Sequence, residues 1–180
     1  VYSKFREKFP FENCMYYGDT INNPYGEKSK SELIGYARHI LDFFASKSVK
    51  AVVIACDTSS AVAYDVVKND YDFKIYPIIQ SCAKIVSQLP VDSIGVLATR
   101  ATINSGAYER EIKKYNPDIK IYSQSCPEWV NIVESKTQDK PENIKIIESD
   151  IKKMLKNNPT KILLGCTHYP YLIDVLSNFA

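Results

Sequence analysis

The chain has 180 residues, 45% of them hydrophobic and 24% charged, and its 23 basic and 21 acidic side chains leave a formal net charge of +2. Such a length buries the core of one domain or of two small ones, and the dispersed, nearly balanced charge excludes a nucleic-acid footprint. No run approaches transmembrane length and residues 1–12 lack a signal-peptide apolar core, so no membrane contact is expected.

Short β-branched or aromatic runs alternate with helix-period segments along the chain. The first strand is predicted over residues 15–17. An amphipathic helix follows over 31–46, with Leu33, Ile34, Ala37, Ile40, Leu41 and Phe44 on one face. A strand over 51–55, a weaker helical pattern over 59–68 and a strand over 75–78 complete this series. The polar connection at 88–93, with Pro90 inside it, marks a boundary. Beyond it come a strand over 94–98, a helix over 105–115, a strand over 119–122, a helix over 141–155 and a strand over 162–165. Strands separated by helix-length crossovers pair in parallel. The predicted architecture is therefore α/β, two similar lobes with mainly parallel sheets and helices on both faces. Residues 1–90 form a first, incomplete lobe, 91–168 a second, and 169–180 begin the return to the first. The site is expected in the cleft between the lobes.

Five cysteines, Cys14, Cys56, Cys82, Cys126 and Cys166, are an odd number, widely spaced and without a CxxC pair. That usage fits reduced thiols in a cytoplasm. Cys166-Thr167-His168 offers too few ligands for a zinc site, and neither a nucleotide fingerprint nor a Schiff-base lysine context is visible, so no metal and no cofactor are expected. A free cysteine packs by default as a small hydrophobe, which is the reading for Cys14, Cys82 and Cys126. Cys56 and Cys166 differ because their surroundings repeat: "VVIACDTSSAVA" and "ILLGCTHYPYLI" each run from an apolar strand through a small residue and Cys to Thr and then a helix. Ligands of open α/β sheets bind beyond the carboxyl ends of the strands. A thiol there, facing the first turn of a helix, is expected to have its pKa lowered from about 8.5 toward neutrality. The same N–H groups would hold a carboxylate. His168, beside the second thiol, becomes a candidate proton donor.

The stretches "YYGDTINNPYGEKS", "VVIACDTSSAVA", "IGVLATRATINSGAYEREI", "CPEWVNIVE" and "LLGCTHYPYL" occur in the order and approximate spacing of the glutamate racemases, within the aspartate/glutamate racemase superfamily. The resemblance covers nearly the whole chain. It implies cofactor-independent racemisation of glutamate, for peptidoglycan, by two cysteines that exchange the roles of thiolate base and thiol acid. By position Cys56 resembles the residue that deprotonates D-glutamate and Cys166 the one that deprotonates L-glutamate. His168 and Glu134 resemble residues assisting Cys166. Tyr25 and Gly26 resemble a substrate-binding pair, and Thr58, Thr99, Thr102 and Thr167 resemble active-site threonines. The partner so implied is a small-molecule substrate, and a homodimer is what the resemblance implies for assembly.

Two features depart from the family pattern. Asp57 stands where Asn is usual, next to a catalytic thiol whose pKa its charge would raise unless it is protonated or paired with the substrate ammonium. The Asp-Ser-Gly strand that opens family members is not seen, and the chain stops soon after the CTHYP block. The expectation is a fragment of a longer product, with weak or no racemase activity if it is the whole molecule. An aspartate racemase, a catalytically silent binding module and a redox role for the thiols are the competing readings. The redox role requires Cys56 and Cys166 within disulfide range.

Overall fold

Two capping side chains start the first long helix. In the computed structural model, which describes residues 1–179, Ser29 accepts from the Glu32 backbone N–H while the Glu32 carboxylate accepts from that of Ser29 at 2.8 Å. Both orphan donors are thereby satisfied. The chain runs through α1 (Tyr2–Lys8), a 3-10 turn at Tyr25–Glu27, α2 (Lys30–Ala45), β1 (Ala51–Ile54), α3 (Asp57–Val62), α4 (Tyr64–Val67), β2 (Lys74–Pro77) and α5 (Ile78–Val86). It continues with β3 (Ser93–Ala98), α6 (Arg100–Ser105), α7 (Ala107–Lys113), β4 (Lys120–Ser125), α8 (Glu128–Glu134), α9 (Pro141–Leu155), β5 (Lys161–Gly165), a 3-10 turn at Tyr169–Leu172 and α10 (Ile173–Leu176).

The strands form two parallel sheets, β1-β2 and β4-β3-β5. On the first, Leu41 and Phe44 of α2 pack with Val52, Val67 and Ile75. The central strand of the second, β3, is buried at all six positions, as a parallel strand covered on both faces should be. Its period of two assigns the faces. Leu97 joins Trp129, Ile147, Ile151 and Met154 on the side of α8 and α9. Ile94, Val96 and Ala98 join Ile79 and Ala83 of α5 and Tyr108 and Ile112 of α7 on the other. The chain thus crosses between sheets at the end of β2, and α5 lays its apolar face on the second sheet.

Several expected elements differ from what forms. Residues 15–17 are not a strand: among the described residues no neighbour supplies ladder hydrogen bonds, and the Tyr17 ring is held instead against Phe43 and Phe44. The pattern over 59–68 starts two residues earlier and divides at Ala63 into α3 and α4. The pattern over 105–115 starts earlier too and divides at Gly106, whose φ of 64° ends α6 and opens α7. After Cys166 no long helix begins; the chain makes a turn and one 3-10 segment before α10.

Gly165, last in β5, allows a close approach. A Cβ there would lie 2.8 Å from Cε2 of the buried Tyr108 and 3.2 Å from Ala98 Cβ. Gly165→Ala is expected to lower unfolding free energy by about 1–3 kcal/mol through overpacking. The measurement is the denaturant midpoint at constant slope, and an unchanged midpoint would contradict it.

Candidate active site

Cys56 follows β1 as the extended residue before α3 and is half-buried. Its sulfur faces the N–H groups of Thr58 and Ser59 and the Ser59 hydroxyl. Cys166 follows β5 and is buried, with its sulfur facing the N–H groups of His168 and Tyr169. Each thiol therefore sits at the carboxyl end of a parallel strand, one from each sheet. They are within electrostatic reach: charge on Cys56, like charge on Asp57, raises the Cys166 thiol. Both remain free thiols.

The expected lowering of these thiols toward neutrality is not found. Burial pushes Cys56 up, with the Asp57 charge adding to it and the facing N–H groups opposing. Cys166 is pushed up to about 12 by burial, again against its N–H contacts. The reason is a matter of size: α3 has six residues and the segment after Cys166 is a 3-10 turn, so their end charges are weak against the loss of water around a thiolate.

Beside Cys166 a chain of polar contacts leads outward. His168 Nδ1 lies 3.7 Å from the Cys166 sulfur and His168 Nε2 lies 2.7 Å from Glu134 Oε1. A carboxylate only accepts, which assigns the proton to Nε2 and, in the neutral ring, a lone pair to Nδ1 facing the sulfur. Glu134, the last residue of α8, also accepts from Asn23 Nδ2 at 2.8 Å. The His168 and Asn23 contacts together hold its carboxyl below the usual range.

Three hydroxyls meet where α3 and α6 touch. Thr58 Oγ1 lies 2.9 Å from Thr99 Oγ1 and 3.3 Å from Thr102 Oγ1, and the last two are 2.9 Å apart. All three are buried, and Thr99 also caps α6. Gly26 is buried against them; a Cβ on it would lie 2.9 Å from that of Thr99. Tyr25 adjoins this group, but its hydroxyl donates to Asp19, so the side chain is already engaged. Asp57 is buried and turned to the Tyr108 hydroxyl, which donates to Oδ1 at 2.5 Å. Burial pushes its carboxyl up to about 6 even against that hydrogen bond. Thr167 is exposed and makes no side-chain hydrogen bond among the described residues.

Sequence reasoning did not assign Asp19, Asn23, Ser59 or Tyr108. Asp19 was legible as an acid three residues before Asn22, which it binds, and Ser59 as a hydroxyl three residues after Cys56. Asn23 and Tyr108 act across long sequence separations, and no local pattern announces them. Among the described residues no group of three or more His, Cys, Asp or Glu side chains is arranged to hold a metal ion, and no helix is long and apolar enough to cross a membrane.

This geometry has counterparts in known proteins. A model of the Asp/Glu/hydantoin racemase family matches residues 12–179. The glutamate racemase of Picosynechococcus sp. is 38% identical over 172 residues, covering 95% of this chain and 61% of its own length. That of Trichormus variabilis is 37% identical over 169 residues, covering 94% and 58%. The chain thus spans about three fifths of these relatives' length. The crystal structure of glutamate racemase from Francisella tularensis in complex with D-glutamate superposes with a TM-score of 0.92 at 31% identity, over 99% of this chain and 67% of that one.

Asp57 carries a pH signature in stability. Its carboxyl titrates at about 6 in the fold against 3.8 when unperturbed, so the native state binds the proton more tightly than the unfolded chain. The protonated acid is favourable at low pH, and that advantage is lost as pH rises from about 4 to about 6. Asp57→Asn is expected to raise unfolding free energy at neutral pH by about 1–3 kcal/mol, with the gain vanishing near pH 4. Denaturant unfolding across that range measures it, and a gain independent of pH would contradict the assignment.

Proposed function

We propose that this chain, which belongs to the Asp/Glu/hydantoin racemase family, carries the two-thiol site of a glutamate racemase. The observation that carries the reading is the pair of cysteines, each ending a parallel strand of a different sheet, each with its sulfur facing backbone N–H groups, and each sensitive to the same buried charge. Racemisation removes a proton from one face of an α-carbon and returns one to the other. A single side chain does not reach both faces, whereas two sulfurs flanking the carbon would.

In the L-to-D direction the Cys166 thiolate takes the α-proton and becomes the thiol. The electron pair left on carbon is delocalised into the carboxylate, and the Cys56 thiol delivers its proton to the opposite face, ending as thiolate. The reverse direction exchanges the two roles. Because burial favours the neutral thiol at both positions, the thiolate must be generated at the site, and His168 Nδ1 beside Cys166 is the group placed to take that proton. Glu134 then stabilises the imidazolium through Nε2.

The Thr58, Thr99 and Thr102 hydroxyls and the Gly26 backbone form the polar wall we assign to a substrate carboxylate, with Tyr25 shaping it through its ring. Thr167, exposed beside Cys166, is assigned to the substrate side as well. We assign Asp57 as a buried counter-charge to the substrate ammonium. The proposed setting is the cytoplasm, in keeping with five free thiols, and the proposed product is D-glutamate for peptidoglycan.

The test is exchange of the glutamate α-proton with deuterated solvent, followed by NMR on the full-length protein. The parent is expected to exchange and racemise both enantiomers, while Cys56→Ser and Cys166→Ser each lose about 10²–10⁴-fold. D-aspartate, one methylene shorter, is expected to turn over about 10–200-fold less efficiently. A parent protein that exchanges no α-proton would end the reading, and preferred turnover of D-aspartate would move it to another branch of the family.

A further inference from the structure

The loop from Asp19 to Glu27 is fixed at several points. Asn22 Nδ2 donates to both Asp19 oxygens at 2.9 Å, and the Tyr25 hydroxyl donates to the same carboxylate. Gly26 is packed onto Thr99, and Arg100 Nε donates to Glu27 Oε2 at 3.0 Å. Asn23 lies inside this pinned stretch, so its amide is presented at a defined place although the residue itself is exposed. That place is Glu134, at the end of α8 on the second sheet.

Glu134 is an exposed side chain with three rotors, and nothing on its own helix orients its carboxylate toward His168. Its Oε1 receives two donors, Asn23 Nδ2 at 2.8 Å and His168 Nε2 at 2.7 Å. The Asn23 contact removes rotamers in which the carboxylate points to water, and in doing so fixes the acceptor that holds the imidazole plane. The imidazole in turn presents Nδ1 to the Cys166 sulfur at 3.7 Å.

We infer that Asn23 is a positioning residue: its amide holds Glu134 in the rotamer that orients His168 toward Cys166, so a loop packed on α6 sets the geometry of an acid–base pair reached through a different strand. The functional meaning rests on reading Cys166 and His168 as that pair, while the positioning itself does not. Asn23 touches neither sulfur and acts only through Glu134.

The test uses the chain's histidine content, which is His39 and His168 alone. In protein labelled with ¹⁵N-histidine, solvent exchange of each imidazole N–H is measured for the parent, Asn23→Ala, Glu134→Ala and the double variant, with melting temperature as a check on folding. The parent is expected to show a protected His168 Nε2–H. Asn23→Ala should speed its exchange about fivefold to tenfold, the worth of one such hydrogen bond. Glu134→Ala should speed it at least as much, and the double variant should match Glu134→Ala, with His39 unmoved throughout. An unprotected His168 in the parent, a parent-like rate in Asn23→Ala, or an additive double variant would each overturn the inference. In the α-proton assay Asn23→Ala should lower kcat with KM within about twofold, as expected for a residue that does not bind substrate. A parent without α-proton exchange but with the stated NMR pattern would remove the racemase reading and leave the positioning intact.

Discussion

For two thiols from separate sheets to share a substrate, the two sheets must be held together, and the contact between α3 and α6 is one tie that holds them. The three buried hydroxyls of Thr58, Thr99 and Thr102 hydrogen-bond one another across that contact, and Thr99 Oγ1 also accepts from the Thr102 N–H. The pinned loop and the Asp57–Tyr108 hydrogen bond add ties between the same two bodies of structure. These ties are polar. An apolar seam would hold the sheets equally well, but it would offer nothing to a carboxylate or an ammonium.

Desolvation dominates the electrostatics of the site. Cys56, Cys166 and Asp57 are all displaced toward their neutral forms, and the backbone N–H groups aimed at the sulfurs only reduce the displacement. At neutral pH both thiols therefore rest in the neutral form, while Asp57, at about 6, is largely ionised. The ionisable groups that keep contact with water are those at the rim, His168 and Glu134. The Cys166 sulfur is buried, and the His168–Glu134 contact beside it is wetter.

How much of this was readable in the sequence follows from the range of the forces involved. The helix over 31–46 and the strands at 51–55, 75–78, 94–98, 119–122 and 162–165 rest on local periodicity, and each forms within a few residues of its expected bounds. The strand expected at 15–17 fails because a strand needs a neighbour, which no local pattern supplies. The divisions at Ala63 and Gly106 are tertiary choices of the same kind. At the site, the echo singled out Cys56 and Cys166, which the structure places after β1 and β5, and the family resemblance added His168 and Glu134, which contact each other and, through His168, Cys166. The polarity of the thiol shifts was misjudged because a helix-end argument ignores burial, which only the packed fold reveals. Asn23 and Tyr108 were missed because their partners lie 111 and 51 residues away.

The central claim is that both sulfurs address one carbon from opposite faces. A crystal structure of the full-length protein with glutamate bound tests it directly. The account predicts the substrate Cα between the Cys56 and Cys166 sulfurs, with each within about 3–4 Å of it along a line through the other, the reach required for proton transfer. A glutamate bound with Cα beside only one sulfur, or outside the space between the two strand ends, would contradict it.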